Sequence, residues 1–269
     1  MKRSSFLASH LLFLLCLQTV SGCSTSYNVA TQRTETLIFS TAKEVEIGAR
    51  ASKQIEEKLD VIRDPDLLAR LDRVASRISS VADRKDLTYR FNIVDLKDSS
   101  EVSQPNAFAL PGGPVYVSLG LMELLKTDEE LAAVIGHEIG HIVARHTAKR
   151  FQGALGLQIL QVLAASSGGA KTVEGRQSLD AALASILTEY SQQDELEADR
   201  LSVKYLKRAG YRPEAALDAL SRLRDYSFDQ PARRFSYFRT HPFFADRLRV
   251  VRQEATGQIE FDDYINIRR

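Results

Sequence analysis

At 269 residues the chain is long enough for one sizeable core or two small domains, and 36 basic against 35 acidic side chains give a formal net charge of +1. Nothing in that balance suggests a nucleic-acid surface. Of the 2 cysteines, Cys16 lies in a removable leader, so Cys23 would be an unpaired thiol in an oxidising compartment unless it is modified.

The first 22 residues read as a signal segment: Lys2 and Arg3 form a basic start, and Leu11 to Val20 an apolar run too short for a membrane span. It ends in Val20-Ser21-Gly22-Cys23, the pattern of a bacterial lipobox, whose small residues permit cleavage and whose cysteine is lipidated. An ordinary signal peptide with an incidental cysteine is the alternative. Removing Lys2 and Arg3 from 36 basic residues leaves 34 against 35 acidic, a net charge of −1. The polar run Ser24 to Asn28 reads as a flexible tether. Ser24, rather than Asp, directly after the cysteine fits sorting to the outer membrane.

Ser40 to Leu59 reads as a helix on Val45, Ile47, Ile55 and Leu59. Asp64-Pro65 opens another, Leu67 to Ile78. Leu87 to Leu96 alternates as a strand. Asn106 to Leu110, Pro111 to Pro114 and Val115 to Ser118 read as strand, turn and strand, which the prolines confine to a sheet edge. Such an edge can receive an extended peptide as an added strand; an edge without a ligand is the alternative.

Thr127 to His146, T-D-E-E-L-A-A-V-I-G-H-E-I-G-H-I-V-A-R-H, carries the chemistry. Thr127 followed by Glu130 is a helix start in which each side chain satisfies the other's backbone N–H. Leu131, Val134, Ile135, Ile139, Ile142 and Val143 recur at helical spacing, so one face is expected to be buried. Within this run His137, Glu138 and His141 spell H-E-x-x-H. Histidines four apart lie about 40° from each other around a helix, so both imidazoles can reach one metal ion. Glu138, roughly 60° from His141 about the axis, misses the metal and is placed to act as general base. A helix with two core histidines and a solvated glutamate is the alternative. Gly136 and Gly140, each costing about 1 kcal/mol in a helix, argue for close approach of another element.

Phe151 to Ala165 is apolar enough for a further helix, either a plain core helix, a cover over the site or a lipid-facing patch. Leu179 to Leu187 begins another. Ser191 to Ala209 forms a long helix stopped at Gly210, and Pro213 to Tyr226 and Phe243 to Glu254 close the chain as amphipathic helices.

Two histidine ligands require at least one more protein group. His10 leaves with the leader, so His146 and His241 are the spare histidines. His146 lies about 140° beyond His141 on a continuous helix, pointing away from the metal, and reads as a supporting or structural residue. Along Ser191 to Asp199, Glu195 and Asp199 share a face, whereas Glu197 lies roughly 200° from Glu195. Glu195 can bind the ion while Asp199 fixes the tautomer of a ligand imidazole. A solvated acidic face is the alternative, and spacing alone leaves the two open.

G-H-E-I-G-H with a histidine five residues on, preceded by N-A-F-A-L-P-G-G and followed by E-L-E-A-D, resembles the HtpX-like and CAAX-prenyl-endopeptidase-type zinc metallopeptidases, which are gluzincins. The resemblance spans Ser40 to Arg252. It implies one Zn2+ per chain on His137, His141 and Glu195, with Glu138 as base and Asp199 in support. It implies an α+β fold, mostly helical: a zincin-like domain whose small sheet sets an edge strand beside the H-E-x-x-H helix. The expected division is a lipoprotein signal peptide over 1–22, a tether over 23–39, the metallopeptidase domain over 40–256 and a tail over 257–269. The short, lipobox-bearing layout is similar to the family's outer-membrane lipoprotein members. A lipid on Cys23 would then hold the chain to the membrane, facing the periplasm. Its partners would be damaged or unassembled envelope proteins as substrates, and no nucleic acid. A non-proteolytic, zinc-bound chaperone or scaffold is the rival reading.

Two departures stand out: Gln192 replaces an Arg and Ser202 a Gly common in relatives, which bears on local hydrogen bonding. Relatives often carry His-Pro where His241-Pro242 stands. His241 is therefore expected near the zinc, restraining activity, or else as an oxyanion or substrate contact; without the resemblance it reads as a turn residue. Tyr190 and Arg247 are the other candidates for the oxyanion role.

Overall fold

The computed structural model describes residues 24–37, 39–96, 103–154, 189–229 and 236–257. Cys23 and the leader, the helix expected at Leu179 to Leu187, most of that expected from Phe151 and the tail beyond Gly257 lie outside the described residues.

Where a tether was expected, β1 (Ser24–Asn28) and β2 (Arg33–Leu37) form an antiparallel hairpin. These strands show little apolar alternation, and tertiary bonds hold them. The Asn28 amide donates to Val143 O at 2.8 Å and to Glu35 Oε2 at 3.0 Å. Lys149 Nζ donates to Glu35 Oε1 at 2.7 Å, and Leu37 is buried.

Helix α1 (Thr41–Lys58) starts at Ser40, whose hydroxyl accepts from the Lys43 N–H. It ends one residue before Leu59, which instead opens strand β3 (Leu59–Ile62), an element the helical pattern had hidden. Asp64 caps α2 (Pro65–Ser79) by accepting from the Asp66 and Leu67 N–H groups. Strands β4 (Arg90–Leu96), β5 (Ala107–Ala109) and β6 (Pro114–Ser118) complete a sheet of order β3-β4-β6-β5. The β4–β6 pairing is parallel, while β3–β4 and β5–β6 are antiparallel. The β5–β6 turn needs glycine, since Gly112 and Gly113 take φ of 75° and 120°. A short α3 (Leu119–Leu124) follows.

The long central helix α4 (Asp128–Val143) begins at Thr127 with the expected capping box, and every residue from Glu130 to Val143 is buried. The sheet edge β5 lies on one side of it. On another side crosses α5 (Gln192–Ala209), capped by Ser191 and stopped by left-handed Gly210. The two glycines of α4 permit this crossing. A Cβ on Gly140 would meet Ala198 O at 3.0 Å, and one on Gly136 would meet Ser202 Oγ at 3.1 Å. The Ser202 hydroxyl donates to Ala133 O at 2.7 Å. Gln192 likewise bonds Asp246. Helices α6 (Ala215–Asp229), α7 (Tyr237–Thr240) and α8 (Phe244–Thr256) pack behind this pair. One apolar cluster joins α2, α4, α5, α6 and the sheet, and a smaller one fills the space under α1 with Phe108, Tyr116 and Phe151. Among the described residues no helix is long and apolar enough to cross a membrane.

Candidate metal centre

Because α4 is buried all round, His137, Glu138 and His141 lie at the centre of the molecule, each at most 3% exposed. Helix α5 brings Glu195 and Asp199 to them, and the loop after α7 brings His241. One ligand atom from each of His137, His141, Glu195 and His241 lies within 4.8 Å of the others. His137 Nε2 stands 3.0 Å from His141 Nε2, 3.3 Å from His241 Nδ1 and 3.5 Å from Glu195 Oε2. Glu195 Oε1 stands 3.3 Å from His141 Nε2 and 3.0 Å from His241 Nδ1. Four donors at about 2.0–2.2 Å around a tetrahedral ion sit roughly 3.3 Å apart. The spacing and the donor set of imidazole nitrogens and a carboxylate therefore fit a metal ion, with His241 as a fourth donor.

Asp199 Oδ1 accepts from His137 Nδ1 at 2.8 Å, which leaves Nε2 as the free donor atom. Arg247, fully buried on α8, was read from the sequence only as an oxyanion candidate. It binds both oxygens of Asp199 at 2.8 Å and Glu195 Oε2 at 2.9 Å, and donates to the Tyr237 hydroxyl and the His241 carbonyl. It holds the acidic partners from behind, and no sequence spacing pointed to this, because α8 lies far along the chain.

The electrostatics agree. Burial and Arg247 lower the basicity of His137, but Asp199 and Glu195 outweigh them and raise it to about 9. Burial and the neighbouring His137 and His146 drive His141 well below the usual range, against Glu195. Two imidazoles 3.0 Å apart cannot both carry a second proton. The field that draws positive charge onto His137 equally favours a cation among these donors. Burial raises the Glu138 carboxyl against the lowering effect of His241 and His137. Both Glu138 oxygens are buried without a hydrogen-bond partner among the described residues, and Oε1 lies 3.4 Å from His241 Nε2. Tyr190 stacks on His141 with ring centroids 3.8 Å apart, and burial raises its hydroxyl.

His146 does not continue α4 as the 140° argument assumed. The helix ends at Val143, Arg145 takes φ of 57°, and residues 146–154 form a new helical segment. This turns the His146 ring back beneath His141, with the two Nδ1 atoms 3.0 Å apart. Glu197 is not among the four donors and reaches His146 Nε2 at 3.1 Å.

A small mixed sheet, an edge strand beside a buried H-E-x-x-H helix, and a crossing helix that supplies a glutamate define a zincin-like fold. The pattern of Peptidase family M48 matches residues 65–255, and the chain belongs to that family. It is 31% identical over 183 residues to the mitochondrial metalloendopeptidase OMA1 of Schizosaccharomyces pombe, covering 68% of this chain and 51% of that protein. To the metalloprotease LoiP of Escherichia coli it is 34% identical over 153 residues, covering 56% and 59%. To the beta-barrel assembly-enhancing protease of Escherichia coli it is 29% identical over 231 residues, covering 81% and 45%. The chain thus spans about half the length of these curated relatives.

Proposed function

We propose that this chain is a zinc-dependent metalloendopeptidase of the bacterial cell envelope that cleaves damaged or unassembled envelope proteins. The observation that carries the reading is Glu138: a buried carboxylate whose oxygens have no hydrogen-bond partner among the described residues, beside four converging metal donors. A scaffold that merely bound metal would gain nothing from such a group, since an unsatisfied buried carboxylate costs several kcal/mol as an order of magnitude. This favours the enzyme over the non-proteolytic reading.

His137, His141 and Glu195 would hold the ion, and the nitrogen-rich set with one carboxylate suits zinc. Bound zinc supplies Lewis acidity to the scissile carbonyl and lowers the pKa of water to about 7. Glu138 takes the proton of the attacking water on a carboxylate oxygen and returns it to the departing amine. Asp199 and Arg247 keep His137 and Glu195 oriented throughout. The substrate would lie extended along β5. There Pro105 O accepts from the Tyr237 N–H at 3.0 Å and Ala107 O from His241 Nε2 at 3.4 Å. The segment from Tyr237 to His241 therefore takes carbonyls an added strand would use, while His241 sits among the metal donors. We read this as a resting arrangement that substrate must displace.

A casein-type degradation assay tests the activity. Hydrolysis is expected to stop with a chelator and to return on adding zinc; hydrolysis indifferent to chelation would remove the metallopeptidase reading.

A further inference from the structure

We propose that His146 and Glu197 form a second imidazole–carboxylate relay, behind His141, that selects the tautomer His141 needs to hold a metal ion. The inference rests on the metal-site reading above and concerns residues outside the donor set.

His141 presents Nε2 to the other donors, 3.0 Å from His137 Nε2 and 3.3 Å from Glu195 Oε1. A neutral imidazole that offers Nε2 as a lone pair carries its proton on Nδ1. That N–H lies in a fully buried place and needs an acceptor. His146 Nδ1 is 3.0 Å away, on a residue 2% exposed. To accept, His146 must leave Nδ1 bare and carry its own proton on Nε2. Nε2 in turn faces two carboxylates, Glu197 Oε2 at 3.1 Å and Asp194 Oδ1 at 3.3 Å. Arg33 of the N-terminal hairpin approaches Glu197 Oε1 at 3.5 Å and closes the outer end.

The reverse order of protons is incompatible with a cation on His141 Nε2. A proton on His146 Nδ1 would force one onto His141 Nε2, aimed at the donors. In a neutral His146 it would also leave the Nε2 lone pair facing two carboxylates, which is repulsive. With a cation on His141 Nε2, the order in which His141 Nδ1–H donates to His146 Nδ1 and His146 Nε2–H donates to the carboxylates satisfies every atom. Asp199 accepts from His137 Nδ1 directly. For His141 the carboxylate acts at one remove, through His146, which makes His146 a positioning residue. The backbone reversal at Arg145 is what allows it: on a continuous helix His146 would point elsewhere.

The test uses the full chain loaded with zinc. Nitrogen-15 NMR of the wild type should show His141 protonated at Nδ1 and His146 protonated at Nε2 only; a protonated His146 Nδ1 would overturn the relay. Chelator competition should show zinc held about 10–100-fold more weakly by His146→Ala. His146→Gln, whose amide oxygen can accept from His141 Nδ1, should recover most of that loss, and Glu197→Ala should lose less than His146→Ala because Asp194 remains. Wild-type affinity in His146→Ala, or equal loss in the Gln and Ala variants, would also overturn it. Glu195→Ala separates the two readings: if it binds zinc as the wild type does, the metal-site assignment itself fails.

Discussion

Burial raises the Glu195 carboxyl, yet His241, Arg247 and His137 outweigh it and hold the group well below the usual range. The same side chain thus touches three positive or metal-seeking groups, and it can serve the donor set only as a carboxylate. His241 is the residue whose role decides whether the site is open or closed. Its N–H to Tyr237 O bond of 2.8 Å and the Arg247 bond to its carbonyl fix it, and Phe243 just beyond takes a left-handed φ of 66° that costs a non-glycine residue about 1–3 kcal/mol. We predict that His241→Ala hydrolyses casein faster, or cleaves itself more, at unchanged zinc content. Slower hydrolysis would instead make His241 an oxyanion or substrate contact. At this scale much was legible. H-E-x-x-H and the shared face of Glu195 and Asp199 follow from a helix of roughly 3.6 residues per turn. Arg247 and the partner of Glu197 were not legible, because they depend on how α8 and α5 lie across α4.

Elements with strong caps were readable for the same local reason. Thr127, Ser191, Asp64 and Gly210 mark their helix ends in sequence and in space. The hairpin over 24–37 was not readable. Its strands are mostly polar, and its hold comes from Asn28 on Val143 and Lys149 on Glu35, contacts more than a hundred residues away. Gly136 and Gly140 announced a close approach without saying of what; the answer is α5. The two glycines should respond differently. Gly140→Ala places a methyl 3.0 Å from the Ala198 carbonyl, a backbone atom that cannot step aside. Overpacking of about 1–3 kcal/mol outweighs the helix-propensity gain of about 1 kcal/mol, so its Tm should fall by several degrees. Gly136→Ala meets the Ser202 hydroxyl at 3.1 Å and the Ser202 Cα only at 3.3 Å, so its backbone contact is looser and it should lose less, the hydroxyl's bond to Ala133 O included. A thermal melt of both variants decides it, and a larger fall for Gly136→Ala would contradict the packing argument.

For the molecule as a whole, the hairpin changes what a lipid on Cys23 would do. Strand β1 starts at Ser24, one residue after that cysteine, and Asn28 ties the hairpin to the end of α4. An anchor at Cys23 would leave almost no free chain between membrane and fold. We expect Cys23→Ser to leave the membrane fraction and lose the lipid mass; a wild type that carries no lipid and fractionates like the variant would discard the anchor.

The central claim is that Glu138 moves the proton while its neighbours hold the metal. Glu138→Gln separates the two, because the amide keeps the shape and cannot accept the water's proton. Zinc content and casein hydrolysis, measured on the same purified sample, test it most directly. Glu138→Gln should hold one zinc per chain with turnover reduced by at least about 10²-fold; turnover equal to the wild type at full zinc content would contradict the role of Glu138 as the base.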